Sequence, residues 1–401
     1  MSLRRKIIPI LLCLVLCLGF SGAARADAPL LPIAEAQGDS FFYGLLRDGQ
    51  TALPCRHEDI RRIGSVYALC SEGRWALFPV DGTWHTEYVY EEVLPCEGGI
   101  LCIESAEQNR AVILSRGGEM LLDTREIPVF ESLAPYAVYG LAARSEGFAA
   151  VYAEDGACLF LDAAGNILPM TFCYTEGFHE GAACVLTDGR WGYLSPDGTW
   201  LLPPQYLQAQ SFHGGTALVR DAEGFAVIDR TGKILWRPAG DYVWQFPYGS
   251  QSFFGVHAHG KDLCFTSEGT LLAHGGVPLQ PGEYLCAKLP GGVFALLPDG
   301  RELFLPGAEE LLWGSGSLFA AKTAEGYSVM DAEGRHILST GDGAPDLLQD
   351  AVSGRTYIFV PNGESFSVFT ADGRFLQSGA YLTEPIAGWF ALSGGWRQVS
   401  V

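Results

Sequence analysis

Ten glycines recur along this chain at intervals of 31 to 47 residues: Gly49, Gly82, Gly118, Gly165, Gly198, Gly232, Gly269, Gly300, Gly334 and Gly373. With no gaps introduced, the residue four places before each is large and apolar, from Leu45 and Phe78 through Leu194 and Ile228 to Met330 and Phe369. Seven places before, six of the ten are aromatic: Phe42, Trp75, Trp191, Phe225, Tyr327 and Phe366. The next residue is often small (Ala76, Gly192, Ala226, Ser328, Ser367), which lets a second backbone approach closely. A period of this length, kept over ten copies, means that one small unit is stacked repeatedly along the chain.

The unit itself is β. Aromatic, small, apolar, apolar, then a polar turn closed by Gly is the pattern of a strand entering a hairpin. Ser195-Pro196-Asp197-Gly198 suits a type I turn whose last residue is left-handed, a conformation glycine takes without steric cost. An apolar strand follows each turn (Leu201-Leu202, Ile234-Leu235-Trp236, Phe375-Leu376), and another precedes each hairpin (Ala183-Cys184-Val185-Leu186, Ala217-Leu218-Val219). No long stretch has a 3.6-residue apolar period. The expected fold is all-β: about ten repeats of roughly three short strands, in a β-propeller-like ring, an open β-solenoid or two smaller propellers. The first unit opens directly at Phe41-Phe42-Tyr43, while Trp389–Leu392 and Trp396–Val401 are left over at the C-terminus. A ring that uses the surplus strand to complete its first sheet removes exposed edges.

Gly189-Arg190-Trp191-Gly192-Tyr193-Leu194, Asp197-Gly198-Thr199-Trp200, Pro203-Pro204-Gln205-Tyr206 and the phrase from Phe212 to Val219 together resemble the WG-type (KWG) repeat of bacterial proteins. The phrase at Phe178-His179-Glu180-Gly181-Ala182-Ala183 is the same one displaced by 34 residues. The resemblance implies an exported or envelope-associated repeat protein with no assigned reaction.

Arg4, Arg5 and Lys6, the apolar run to Phe20 and the small residues ending at Ala26 have the layout of a secretory signal peptide. The domain reading is a signal peptide over 1–26, a linker over 27–39 and a WG-like β-repeat domain over 40–401, with a retained anchor as the alternative to cleavage. Cleavage removes four basic residues and no acid, so 22 Lys and Arg face 46 Asp and Glu, a net charge of −24. Such a chain repels nucleic acid and anionic lipid, and no later segment is apolar and long enough to span a bilayer. Nine cysteines remain; Cys70, Cys102, Cys184 and Cys286 sit in short apolar runs where a thiol packs as a small hydrophobe. Packed thiols with one or two disulfides are expected.

Chemistry-bearing motifs are absent: there is no GxSxG, P-loop, GxGxxG, HExxH or Cys-His signature. No catalytic residue and no cofactor are therefore assigned. Two segments depart from the repeat. Tyr242, Trp244, Phe246 and Tyr248 lie in an aromatic, irregular stretch, and Tyr136 and Tyr139 lie in the longest insertion, Arg125 to Gly147. Aromatic side chains on loops of a rigid scaffold form platforms for glycan or peptide. His257 and His259 fall two apart, on one face of an expected strand, and are a weak metal candidate with Asp262 or His274. His179 and His213 are read as turn residues. The function expected is a non-catalytic exported scaffold binding a protein or cell-envelope polymer, in the secreted or extracytoplasmic space. The alternative is a propeller-fold hydrolase of extracellular glycans.

Overall fold

The computed structural model describes residues 28–398 apart from 38–39, 49, 154, 164, 169, 282–283, 351–352, 383, 387–388 and 393–394. Residues 1–26, expected to be a signal peptide, and the first turn glycine, Gly49, lie outside the described residues. Two compact units are present. One takes residues up to Val93, Arg116–Glu119 and the chain from Leu305; the other takes Leu94–Ser115 and Met120–Phe304.

Nine sheets each carry one of the described turn glycines and the Leu30–His57 sheet precedes them; these ten are numbered here as repeats 1 to 10, with a further two-stranded sheet, Ala273–His274 and Val277–Pro278, between repeats 7 and 8. Eight have three or four strands; repeat 4 has two and repeat 10 has six. Repeat 5 is representative, with Tyr174–His179, Ala182–Thr187, Arg190–Leu194 and Trp200–Tyr206 paired in chain order. The result is an all-β, propeller-like succession of small sheets.

The turns form as their residues dictate. All nine described turn glycines have φ between +66° and +85°. In repeat 5 the Gly198 N–H donates to the Ser195 carbonyl at 3.0 Å, and the Ser195 N–H donates to the Thr199 carbonyl at 2.8 Å. That is a type I turn followed by a left-handed glycine bulge. The Asp197 carboxylate accepts from the Thr199 N–H and hydroxyl at 3.0 and 2.7 Å. Asp81 does the same for Thr83, while Asp229 and Asp331 cap their turns from the position two residues earlier.

The small residue after the aromatic has a measurable steric reason. Trp191 pairs with Tyr206 and Tyr193 with Leu202, so the outer strand bulges opposite Gly192. A Cβ on Gly192 would lie 2.8 Å from both the Leu202 carbonyl oxygen and the Pro204 nitrogen. Repeat 1 has a similar device one residue later in the unit: Gly44 faces a bulge between Tyr43↔His57 and Leu45↔Leu53, and a Cβ there would lie 2.9 Å from the Cys55 nitrogen.

Packing follows the two-residue period of a strand. Ala182 and Cys184 join Tyr193, Tyr206 and the repeat 6 residues Phe212, Ala217 and Val219 in one core. Their neighbours Ala183 and Val185 point the other way, to Cys158, Phe160 and Phe172 of repeat 4. These two cores are thus the spaces between consecutive sheets, filled from both sides. Trp191 packs against the first of these cores and meets Tyr174 edge-on at 5.8 Å, and Trp200 packs against the second. None of the nine described cysteines is in a disulfide, against the one or two allowed for in the sequence, and six are buried. Burial pushes the Cys102 and Cys264 thiols up to about 12, which keeps them protonated and unreactive.

A second set of contacts joins repeats through their two-residue turns. Glu146-Gly147, Glu180-Gly181 and Gly214-Gly215 all have positive φ at both positions, the type I′ geometry. The Glu146 carboxylate accepts from the backbone N–H groups of Glu180 and Gly181 at 2.5 and 2.8 Å. The Glu180 carboxylate in turn accepts from Gly214 and Gly215 at 2.6 and 2.8 Å. His213, read as an ordinary turn residue, sits beside this ladder with Nε2 3.2 Å from the Gly249 carbonyl oxygen.

Three expectations need correction. Residues 30–37 are not linker: Leu30–Gln37 forms the first strand of repeat 1, burying Leu30, Leu31, Ile33 and Ala34. Repeat 1 therefore lacks no strand, and Trp389–Leu392 and Gly395–Gln398 extend the sheet of repeat 10 instead. The segment just before them does reach the first repeats, because Ile386 packs with Leu30, Leu45 and Tyr67 and Glu384 pairs with Arg62 at 2.9 Å. The insertion after Arg125 is not an open loop. It forms 3-10 turns at Thr124–Glu126, Pro128–Ser132 and Ala137–Ala143 and buries Phe130, Leu133, Val138 and Leu141. Buried Asn109 holds it, with Nδ2 donating to the carbonyls of Phe130, Leu133 and Ala134 at 3.4, 3.4 and 2.9 Å and Oδ1 accepting from the Val138 N–H at 3.3 Å.

Buried His57 is a titrating element of the first unit. One ring nitrogen, Nδ1, is 2.8 Å from the Tyr43 carbonyl oxygen and therefore donates; Nε2 accepts from the Tyr88 hydroxyl at 2.7 Å. Burial lowers its pKa below the usual imidazole value. The unfolded chain then takes up a proton near pH 6.5 before the folded chain does, so the stability His57 contributes is full above that pH and lost as pH falls through the folded value. We expect a lower urea midpoint at pH 5 than at pH 8, and His57→Gln, which does not titrate, to flatten that difference in equilibrium unfolding measurements.

Candidate binding face

The aromatic stretch of repeat 7 is a strand, Tyr242–Tyr248, and not an irregular loop; it pairs along its whole length with Gln251–Ala258. Pro247 and the run of aromatics hide the alternation in sequence. In the strand, Val243 turns to the core shared with repeat 6, and Gln245 bonds the Leu218 N–H at 2.8 Å. Tyr242, Trp244, Phe246 and Tyr248 consequently share the opposite face.

That row grades from solvent to core. Tyr248 is buried, its hydroxyl donating to the Leu296 carbonyl, and Phe246 packs with it against Phe253 and Leu285. Tyr242, by contrast, is 62 % exposed and stacks on half-buried Trp244, ring centroids 5.6 Å apart and 24° from parallel. Trp244 pairs with Gly255 across the sheet, and its indole fills the place a side chain there would take. Two of the four aromatics therefore present a surface and two are packing.

The imidazole of His257 belongs to the same face, since His257 pairs with Tyr242. Its Nδ1 lies 2.7 Å from an Asp262 oxygen, and both side chains are about half exposed. His259 does not share that face. The strand ends at Ala258, and His259-Gly260 form a two-residue turn with φ of +52° and +73°. The pairing of His257 with His259 as metal ligands is thus overturned by the hairpin; His274 stacks on Phe294 at 3.8 Å instead. No group of three His, Cys, Asp or Glu side chains able to hold a metal occurs among the described residues.

Tyr136 and Tyr139 are 58 % and 38 % exposed, on the 3-10 insertion that precedes repeat 4, and do not extend the repeat 7 row. The His257–Asp262 hydrogen bond and the Glu146–Glu180 ladder were not read from sequence. The ladder had a signal, because its glutamates stand 34 residues apart, each before a glycine.

Among solved structures the chain is similar to a eukaryotic initiation factor, with 9 % identity over 92 % of this chain and 97 % of that one, at a TM-score of 0.41. It is also similar to BamB from Moraxella catarrhalis (14 % identity, 76 % and 94 % covered, TM-score 0.26) and to apo AztD from Citrobacter koseri (12 %, 70 % and 94 %, 0.28). No curated protein matches the sequence. The family model of the WG containing repeat matches residues 191–222. The chain thus carries a WG containing repeat that runs from the last two strands of repeat 5 into the first two of repeat 6.

Proposed function

We propose that the chain is an exported, non-catalytic scaffold that binds a protein or a cell-envelope polymer through the open end of the Tyr242–Tyr248 strand. The observation that carries this reading is the exposed Tyr242 stacked on Trp244, on a strand paired along its full length. Exposed aromatic rings held rigid lose little conformational entropy on binding and offer flat apolar area with a polar edge. His257 and Asp262 beside them add polar groups that orient a ligand. The basic, apolar and small-residue layout of residues 1–26 supports export, and the lack of catalytic motifs supports a binding role.

The test is affinity electrophoresis of the chain lacking 1–26 in gels containing envelope polysaccharides, with pull-down from envelope extract. Tyr242→Ala and Trp244→Ala are expected to weaken retention about tenfold each, from lost stacking of order 1–2 kcal/mol. Release of new reducing ends from a polysaccharide would transfer the assignment to a glycan hydrolase.

A further inference from the structure

A cleft of about 350 Å³ in the first unit is lined by Arg47, Thr51, Leu53, Phe78, Trp84 and His85. It lies entirely on repeats 1 and 2, apart from the Tyr242 face, and does not rest on the reading of that face.

Arg47 is the feature that the fold leaves unexplained. One Nη donates to the Asp81 carbonyl at 3.0 Å, yet the buried Nε has no hydrogen-bond partner among the described residues. Among the described residues Arg47 makes no ion pair, in a chain where acids outnumber bases 46 to 26. A buried N–H without an acceptor is unfavourable, and a guanidinium offers five donors in a planar fork. The guanidinium is seated against Gly82, whose missing side chain leaves the space it occupies.

The surrounding walls are apolar and aromatic. The His85 ring lies parallel to buried Phe78, 5.9 Å and 5° from it. Trp84 packs flat on Gly118, where a Cβ would come within 2.7 Å of the indole. An arginine whose guanidinium makes one backbone hydrogen bond and no ion pair among the described residues, beside flat apolar walls, is complementary to a carboxylate carried on a ring. One fixed cation among the lining residues matches the single charge of a carboxylate better than the double charge of a phosphate.

We infer that this cleft binds a small organic monocarboxylate with a planar or cyclic body, held by charge-assisted hydrogen bonds from the Arg47 Nη groups and stacked on its aromatic walls. The source is an aromatic acid or a sugar acid, which share this chemistry.

The experiment is isothermal titration of the purified chain with sodium benzoate, sodium glucuronate, inorganic phosphate and methyl benzoate. Saturable binding of benzoate or glucuronate is expected, and the tighter of the two identifies the source. Methyl benzoate should bind at least tenfold more weakly than benzoate, and Arg47→Lys, which keeps the charge but not the fork, should weaken the acid at least tenfold. His85→Ala, on an exposed side chain, provides a variant that leaves the Arg47 seat intact and should weaken the acid severalfold. If Arg47→Lys does not fold, the acid–ester comparison on the unaltered chain and the His85→Ala titration decide. No saturation by either acid, tighter binding of phosphate than of both, or equal binding of acid and ester overturns the inference.

Discussion

Asn109→Ala should lose about 2–4 kcal/mol of stability, because it removes the hydrogen bonds that the side chain makes to three backbone carbonyls and one N–H inside the insertion. The site is 4 % exposed, so water does not replace the lost side chain. Asn109 also has φ of +53°, which alanine tolerates less well than asparagine. Asn109→Gly relieves that backbone strain but restores no hydrogen bond, and it separates the two contributions. Urea unfolding of the three proteins checks this: both variants should have lower midpoints, with glycine above alanine. Midpoints equal to that of the parent would mean that the insertion does not depend on Asn109.

Gly192→Ala should be comparably severe, at about 2–4 kcal/mol, with Gly192→Val worse. A Cβ 2.8 Å from the backbone of Leu202 and Pro204 cannot be relieved by rotating a side chain. The whole outer strand, Trp200–Tyr206, must move, and with it the Leu202 and Tyr206 contacts to repeat 6. Repeat 6 supplies the control. Its equivalent residue is Ala226, and its bulge falls between Val227 and Ile228, past that position. Ala226→Gly should therefore cost only about 1 kcal/mol, the ordinary penalty of glycine in a strand. Thermal melts of Gly192→Ala and Ala226→Gly side by side would settle the steric argument; equal shifts would refute it.

These two residues also mark how far sequence reasoning reaches. The turn glycines, the apolar column four places before them and the small residue that lets a second backbone approach are local requirements of a hairpin, and each was legible from its type and position, whereas the bulge opposite Gly192 was not. Seven of the ten residues in that apolar column are indeed buried. Legibility ended where partners are distant along the chain. Asn109 is an unremarked turn residue until the insertion folds over it, and Glu180 binds a turn one repeat away. Leu30–Gln37 was missed because Pro32 interrupts its apolar run and the run adjoins the segment read as a signal peptide. For the candidate face, residue type pointed to Tyr242 and Trp244, but only the strand pairing separates them from Phe246 and Tyr248, whose rings are spent on the core. The role of Arg47 depends on Gly82 and Trp84 in the next repeat, and no local pattern announces it.

If the copies of the repeat build the scaffold and the binding surface lies where a copy departs from the pattern, two tryptophans should behave in opposite ways. Trp191 is the repeated aromatic and packs at a core; Trp244 lies over Gly255 under an exposed tyrosine. The decisive measurement is ligand affinity per folded molecule, with melting temperature, for Trp191→Ala and for the double variant Tyr242→Ala/Trp244→Ala. The account predicts that Trp191→Ala lowers the melting temperature and keeps the affinity, while the double variant keeps most of its stability and loses affinity by tenfold or more. Full affinity in the double variant, or its loss in Trp191→Ala alone, would contradict it.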